Sequence, residues 1–132
     1  MAIAMIAGIG IDIVNHERMA RIHKRFDEKF ARRILDEQEM EDYNDAPSPA
    51  RFLAKRFAAK EAAAKALGTG IANGITFNMI CVRHDDQGRP LVELLAKAAE
   101  YAHSIGVTKQ WLSISDEQEN SIALVVLETG DS

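Results

Sequence analysis

The sequence predicts an α+β fold in which a mostly antiparallel sheet wraps around one long helix. Residues 51–71 are dominated by Ala, Leu, Lys, Arg and Glu, the strongest helix formers. Pro47 and Pro49 precede this stretch, and Gly68 and Gly70 close it, as expected at the two ends of a helix. Elsewhere, β-forming segments come in pairs joined by turn residues, which is typical of antiparallel hairpins. A strand, several helices and two hairpins in this order indicate an α+β domain.

Local patterns predict the remaining elements in order. Residues 4–14 alternate as in a strand, with Gly8, Gly10 and Asp12 on one face and isoleucines on the other. Asn15 is a suitable N-cap for the helix that follows. Further helices are predicted at 30–35, 37–43 and 94–105. Strands are predicted at 76–84, from Pro90 onward, at 111–116 and at 121–127.

Length and composition fit a soluble protein with a single domain spanning residues 1–132. Hydrophobic residues make up 47% of the chain and charged residues 27%, which is ordinary for a globular protein. The apolar start, residues 1–11, lacks a basic segment and is too short to cross a membrane, so a buried strand is expected there. The single cysteine, Cys81, excludes an internal disulfide, and no Cys/His zinc pattern is present. A cytoplasmic location is therefore expected.

Charge is unevenly distributed along the chain. The net charge is −4, yet residues 17–33 hold seven basic and three acidic residues, and residues 36–45 hold six acidic residues and no basic one. A basic segment on an acidic protein favours an anionic protein partner. Nucleic acid is a weaker candidate, because the whole chain is acidic and no nucleic-acid-binding motif is present. The alternative is a solvated helix face without a partner.

The long helix places a carboxylate and a lysine on one edge. Phe57, Glu61 and Lys65 are spaced at i, i+4 and i+8, among alanines that leave room for a close approach. An ordinary surface ion pair is one interpretation; a carboxylate that binds a metal and a lysine that meets a phosphate is the other. Asp12, at the end of a glycine-thinned strand, is a second candidate carboxylate. Neither a dinucleotide-binding fingerprint nor a P-loop is complete in the glycine motifs.

Two long segments together resemble a known family. The first is Gly8-Ile9-Gly10-Ile11-Asp12-Ile13-Val14, with Arg18 four residues further on; the second runs from Arg56 through Lys60-Glu61 and Lys65 to Ile71. They resemble the two signatures of the 4′-phosphopantetheinyl transferases. The chain length, the spacing and the Gly88-Arg89-Pro90 turn are similar to those of the small branch, the holo-[acyl-carrier-protein] synthases. The resemblance extends from residue 6 to residue 128.

The resemblance implies a chemistry and a set of site residues. Such enzymes move the phosphopantetheine arm of coenzyme A onto a serine of an acyl carrier protein, in fatty acid biosynthesis, and release adenosine 3′,5′-bisphosphate. By resemblance, Asp12 and Glu61 bind Mg2+ and Lys65 neutralises the phosphates. Oxygen ligands of this kind suit magnesium, which takes one or two carboxylates together with phosphate oxygens and waters. These three residues are the expected catalytic set.

Coenzyme and partner contacts are also implied by the resemblance. The residues expected to line the coenzyme cleft are Arg56, Phe57, Lys65, Gly68 and Thr69, with Gly88, Arg89 and Pro90 near the adenine and the 3′-phosphate. The residues expected to dock an acidic apo-acyl carrier protein on the first helix are Arg18, Lys29 and Arg33, and the charge pattern adds Arg21 and Arg25. Lys60 belongs to the signature but equally suits a structural role. A homotrimer with coenzyme sites between subunits is expected as well.

One position departs from the family pattern. Many members have a histidine after Ser-x-Ser/Thr on the penultimate strand, where this chain has Ser113-Ile114-Ser115-Asp116. Because an aspartate would repel coenzyme phosphates, Asp116 is expected to have a structural role in the hairpin, with a role as base toward the carrier serine as the alternative. Three other functions stay open: the same chemistry on peptide- or polyketide-synthase carriers, a non-catalytic carrier-binding protein, and a nucleotide-binding regulator.

Overall fold

The computed structural model describes residues 3–130. Five strands and five helices follow one another along these residues. In chain order they are β1 (Met5–Asn15), α1 (His16–Phe26), α2 (Glu28–Ile34), α3 (Glu37–Asp45), α4 (Pro49–Leu67), β2 (Ile80–His84), β3 (Pro90–Leu94), α5 (Ala96–Ser104), β4 (Val107–Asp116) and β5 (Asn120–Thr129). No helix between residues 3 and 130 is long and apolar enough to cross a bilayer.

The predicted α+β class is confirmed, with helix α4 at its centre. Pro49 occupies the first turn of α4, and Gly68 ends the helix in the left-handed conformation with φ +82°. Gly68 is suited to this position because it has no Cβ to clash with the backbone at positive φ. Most alanines of α4 are fully buried, and the helix packs mainly on β1 and β5. The long helix is therefore held against β1 and β5 by a face of small, closely packed alanine side chains.

The strands form two antiparallel sheets rather than a single one. The first sheet has the order β1-β5-β4, and the second pairs β2 with β3. Ala123, Val125 and Leu127 of β5 alternate inward and are completely buried, where they cover α4. β4 and β5 are longer than predicted, because their pairing continues to Val107 and Thr129.

The outer face of the three-stranded sheet is apolar and exposed. Ile9, Ile11 and Ile13 are each more than half exposed, and Trp111 and Leu124 beside them are 47% and 39% exposed. The register places Ile9 opposite Val126, which in turn faces Trp111 on the next strand, so these side chains form one continuous surface. We call this surface the outer sheet face.

Two boundaries differ from the prediction for local reasons. The predicted strand at 76–84 begins only at Ile80, because residues Phe77–Met79 form a 3-10 turn. The Thr76 hydroxyl donates to Asn78 Oδ1 at 2.6 Å, and such local side-chain bonds compete with strand pairing. The predicted helix at 94–105 begins at Ala96, because Leu94 still pairs with Ile80 in the second sheet.

The basic segment is divided between two helices. Asn15 caps α1 as predicted, accepting a hydrogen bond from the Arg18 amide at 2.9 Å. Helix α1 ends at Phe26, and Asp27, with φ +49°, separates it from α2. Lys29 and Arg33, which the sequence assigned to docking on the first helix, therefore lie on α2.

Candidate active site

Strand β1 crosses helix α4 at very short range, and this contact positions the site. A Cβ added to Gly8 would lie 1.9 Å from the Ala66 carbonyl oxygen, and one added to Gly10 would lie 1.9 Å from that of Ala62. Only glycine can occupy these two strand positions, because the obstacle is the helix backbone. Asp12 is the next residue on the same face of β1. The crossing therefore holds Asp12 beside α4.

Asp12 and Lys65 form the first pair of the predicted site. The Lys65 ammonium donates to Asp12 Oδ1 at 2.9 Å and to the Ile11 carbonyl at 3.0 Å. The Asp12 side chain is mostly buried, whereas about half of the Lys65 side chain is exposed. The lysine can therefore contact a bound anion while remaining next to the aspartate.

Glu61 is the second carboxylate at the same place. Asp12 and Glu61 line one cavity of about 220 Å³. Burial raises the pKa of Glu61, and the neighbouring Asp12 carboxylate raises it further, while Lys65 lowers it. The two carboxylates therefore repel each other without an added cation. The structure thus brings together the three residues expected to be catalytic.

The rest of this cavity is largely apolar. Met19 and Ile22 of α1 and Phe57 of α4 line it, together with Arg18. The Phe57 ring is packed between Phe30 at 6.0 Å and Phe77 at 5.3 Å, measured between ring centroids. Helix α1 is therefore one wall of the cavity, and Arg18 provides a cation on that wall.

Arg56 and Lys60 point away from this cavity into the protein interior. Arg56 is only 5% exposed; its guanidinium donates to Glu39 Oε2 at 3.3 Å and lies 4.4 Å from the Phe52 ring centroid. The Lys60 ammonium is fully buried and donates to Glu39 Oε1 at 2.7 Å. Burial lowers the pKa of Lys60, against the opposing effect of Glu39. Lys60 therefore has a structural position, and the cavity lining does not include Arg56.

Glu39 is the residue of this region that the sequence interpretation missed. It lies within the acidic segment, yet it is completely buried and also accepts a hydrogen bond from the Val82 amide at 3.1 Å. The available signal was a capping box: the Asp36 side chain accepts from the Glu39 amide, and the Glu39 carboxylate accepts from the Asp36 amide. Cys81 is also buried nearby, and burial raises the pKa of its thiol to about 12.

The other predicted coenzyme contacts lie outside the Asp12–Glu61 cavity. Gly68 and Thr69 line a second cavity of about 480 Å³ at the end of α4, together with Lys97 and Tyr101. Gly88 and Arg89 belong to the turn between β2 and β3, where Asp85 Oδ1 accepts from the Arg89 amide at 2.9 Å, and Pro90 begins β3.

Among the predicted docking cations, only Arg18 reaches the cavity. Arg21 pairs with Glu17 at 3.1 Å, and the Arg25 guanidinium lies 5.2 Å from the centroid of the Phe26 ring. Lys29 and Arg33 are exposed on α2.

Asp116 lies in a polar network at the end of the sheet that also contains Asp12. It is opposite Ser121 on β5, and Ser121 is opposite Val14, two residues beyond Asp12 on β1. Its carboxylate lies 3.3 Å from His16 Nε2 and 3.9 Å from Lys55 Nζ. Asp116 therefore lies beside α1 and α4 at the end of β4, and its structural role stays a prediction.

The fold and site correspond to a known class of protein. The family model of the 4′-phosphopantetheinyl transferase superfamily matches residues 8–125, and the chain belongs to this family. Within it, the chain is similar to proteins named holo-[acyl-carrier-protein] synthase. The one from Alkalilimnicola ehrlichii is 53% identical over 128 residues, which are 96% of this chain and 100% of the relative.

Solved structures agree with this assignment. The crystal structure of the holo-[acyl-carrier-protein] synthase from Neisseria meningitidis has a TM-score of 0.88 and 42% identity, covering 93% of this chain and 98% of that one. The enzyme from Bacillus anthracis, in complex with CoA (3′,5′-ADP), has a TM-score of 0.80 and 38% identity, covering 96% of this chain and 99% of that one.

Proposed function

We propose that this protein is a holo-[acyl-carrier-protein] synthase, which transfers 4′-phosphopantetheine from coenzyme A to a serine of apo-acyl carrier protein in fatty acid biosynthesis. The observation that carries the proposal is the meeting of Asp12 and Glu61 at one cavity, with Lys65 bonded to Asp12. The relative from Alkalilimnicola ehrlichii, which is named holo-[acyl-carrier-protein] synthase and matches 96% of this chain, supports the proposal.

The reaction requires little covalent chemistry from the protein. The serine oxygen of the carrier forms a bond to the phosphorus next to pantetheine. The bond from that phosphorus to the oxygen of adenosine 3′,5′-bisphosphate breaks, that oxygen leaves with the bisphosphate, and the proton of the serine hydroxyl passes to solvent. Transfer of this kind depends mainly on positioning and on neutralising phosphate charge. Lys65 suits the second task, because half of its side chain is exposed beside Asp12.

The residues present fit a magnesium ion. Asp12 and Glu61 offer hard carboxylate oxygens, the ligand type that Mg2+ prefers. Their mutual repulsion, which contributes to the raised pKa of Glu61, would be relieved by a bound divalent cation that both carboxylates would help to hold. When bound, the ion would supply Lewis-acid stabilisation of the diphosphate charge.

Coenzyme A is too large for the cavity that contains the acidic pair. A cavity of about 220 Å³ is below the usual range of about 300–1,000 Å³ for a site that encloses a drug-sized ligand. We assign Phe57, Lys65, Gly68 and Thr69 to coenzyme contacts within one subunit. Gly88, Arg89 and Pro90 would contact coenzyme bound to a neighbouring subunit. Arg56 instead stabilises the packing of α4 through its buried hydrogen bond to Glu39.

A homotrimer would supply that neighbouring subunit. The outer sheet face exposes Ile9, Ile11, Ile13, Trp111 and Leu124 as one apolar surface. Exposed apolar patches of this kind mark protein–protein contacts. We propose that subunits of the trimer meet through this face, and that the protein acts in the cytoplasm, where a single reduced cysteine is expected.

The carrier would dock on the basic surface formed by α1 and α2. Arg18 is placed to connect docking with chemistry, because it lines the cavity that contains Asp12 and Glu61. Arg21, Arg25, Lys29 and Arg33 would attract an acidic carrier and fix its orientation.

Mass spectrometry of the carrier tests the proposed function. The apo-carrier should gain the mass of phosphopantetheine with coenzyme A and Mg2+, and should gain none with EDTA. Asp12→Ala and Glu61→Ala should abolish the gain, whereas Glu41→Ala, an exposed carboxylate on α3, should leave it unchanged. Binding of coenzyme or carrier without a mass gain would refute the transferase proposal in favour of a binding protein. Assays of several apo-carriers separate fatty acid from peptide- and polyketide-synthase partners.

A further inference from the structure

His16, the first residue of α1, is held by polar contacts on both sides of its ring. Nε2 lies 2.8 Å from Ser121 Oγ and 3.3 Å from Asp116 Oδ1. Nδ1 lies 3.1 Å from the carbonyl oxygen of Gln118. Only 12% of the His16 side chain is exposed, and Ser121 is completely buried.

Both ring nitrogens of His16 have a partner in either tautomer. Nδ1 can donate to the Gln118 carbonyl or accept from the Arg51 guanidinium, which lies 3.3 Å away and also donates to that carbonyl at 2.9 Å. Nε2 can donate to Ser121 Oγ or Asp116 Oδ1, or accept from the Ser121 hydroxyl. The Ser121 hydroxyl also lies 3.4 Å from Asp116 Oδ1, to which it can donate. The ring is therefore held whichever nitrogen carries the proton.

These contacts join three parts of the fold. The β4–β5 turn offers three successive carbonyls. Glu117 accepts from Arg51 of α4 at 3.1 Å, and Glu119 accepts from the His16 amide at 2.8 Å. The Gln118 carbonyl between them accepts from Arg51 at 2.9 Å and lies 3.1 Å from His16 Nδ1. Asp116, just before this turn, is 3.9 Å from Lys55 of α4. The first turn of α1 is thereby fixed to both the sheet and the long helix.

We infer that His16, together with Asp116, is a positioning residue that holds α1 in the orientation needed for carrier docking. The inference rests on the proposed function, because α1 has a docking role only if a carrier is the substrate. Arg18 follows His16 by two residues and lines the Asp12–Glu61 cavity, with Met19 and Ile22 on the same helix. His16 itself does not line that cavity, so its effect passes through the helix.

The KM for the carrier should depend on the fraction of molecules in which α1 has the orientation needed for docking. If only a fraction of molecules holds α1 correctly, the apparent affinity for the carrier falls by that fraction. Losing one such contact should reduce that fraction about fivefold, and the KM for the carrier should rise about fivefold. The KM for coenzyme A and the kcat should remain within about twofold, because Asp12, Glu61 and Lys65 are held by the β1–α4 crossing.

The test compares His16→Ala, Asp116→Ala and the double variant with wild type. Each single variant should raise the carrier KM about fivefold, and the double variant should be no worse than either, because both remove the same connection. His16→Gln should partly restore the KM, since its amide offers both a donor and an acceptor to the partners of the histidine ring. His103→Ala, which removes an exposed histidine from α5, should behave as wild type.

Amide hydrogen exchange gives a second readout that does not depend on turnover. Exchange in α1 should be about fivefold faster in His16→Ala, with α4 unchanged. If the single alanine variants do not fold, Asp116→Asn and Ser121→Ala allow the same comparison of α1 exchange and carrier KM with wild type, and both are smaller changes to the side chains. Unchanged α1 exchange, or an unchanged carrier KM in a folded variant, would overturn the inference. Failure of wild type to modify any carrier would instead refute the proposed function, while the exchange result would still decide whether His16 positions α1.

Discussion

Replacing Gly10 by alanine tests whether the close crossing of β1 over α4 determines activity. The new Cβ would lie 1.9 Å from the Ala62 carbonyl oxygen and 2.7 Å from the Ala66 amide nitrogen, and real Cβ atoms essentially never approach within 3.0 Å. Both obstacles are backbone atoms inside a buried helix, so no side-chain rotation can relieve them. The strand must therefore move away from α4 by at least about 1 Å.

That displacement would move Asp12, two residues along the same strand face, away from Glu61 and Lys65. A misplacement of about 1 Å can reduce catalysis about 100-fold, and overpacking of this kind costs about 1–3 kcal/mol of stability. We expect kcat/KM for carrier modification to fall about 100-fold in Gly10→Ala. The assay is the initial rate of phosphopantetheine transfer, normalised to the folded fraction from circular dichroism.

Gly106→Ala is the control for stability alone. Its φ of +83° makes alanine strained, and its new Cβ meets only the Thr129 side chain at 3.7 Å. It should lose about 1 kcal/mol of stability and retain the wild-type rate per folded molecule. A Gly10→Ala protein with both wild-type melting temperature and wild-type kcat/KM would refute the argument. If Gly10→Ala is insoluble, Gly8→Ala has an equally close collision, with the Ala66 carbonyl oxygen at 1.9 Å, two residues further from Asp12.

Four further outcomes are expected. Glu39→Gln should lower the free energy of unfolding by about 3 kcal/mol in chemical denaturation, because it leaves buried Lys60 without its carboxylate; the exposed Glu41→Gln should change it by less than about 0.5 kcal/mol. A hydrogen bond from Arg83 holds the pKa of Asp36 well below its usual range, so Asp36 stabilises the fold above the unfolded pKa and loses this contribution as the pH falls. The stability difference between wild type and Asp36→Asn should therefore be largest near neutral pH and shrink in acid; a difference that grows in acid would contradict the assignment. Rising salt should raise the KM for the carrier more than the KM for coenzyme A, and equal changes would argue against charge-guided docking. Ile11→Arg on the outer sheet face should give a monomer in sedimentation analysis, while a stable trimer in that variant would exclude this face as the interface.

The fold was predictable from sequence where one local signal dominated. Proline and glycine marked the ends of α4, and alternation marked β1. The prediction was wrong where local polar bonds or pairing decided the outcome, as at Thr76 and Leu94. Periodicity describes single elements, and it does not specify how far a strand pairs or how many sheets result.

The candidate site was predictable only in part. The glycine-thinned strand and the alanine-rich helix singled out Asp12, Glu61 and Lys65 as candidates, and the family resemblance assigned them their roles. Glu39 was missed because an acidic residue in an acidic segment looks solvated, and its burial depends on a lysine 21 positions away. Buried carboxylates such as Glu39 can be identified only in the three-dimensional structure, since composition favours exposure for every carboxylate.

The buried thiol of Cys81 has a practical consequence for labelling. A pKa near 12 leaves almost no thiolate at neutral pH, and thiolate is the species that reacts with maleimides and disulfides. A cysteine introduced at an exposed position outside both proposed contact surfaces, such as His103 of α5, could therefore be labelled selectively with a fluorophore while the native residue is retained. The proposed carrier docking and the proposed subunit association could then be tested by energy transfer in an otherwise unmodified chain.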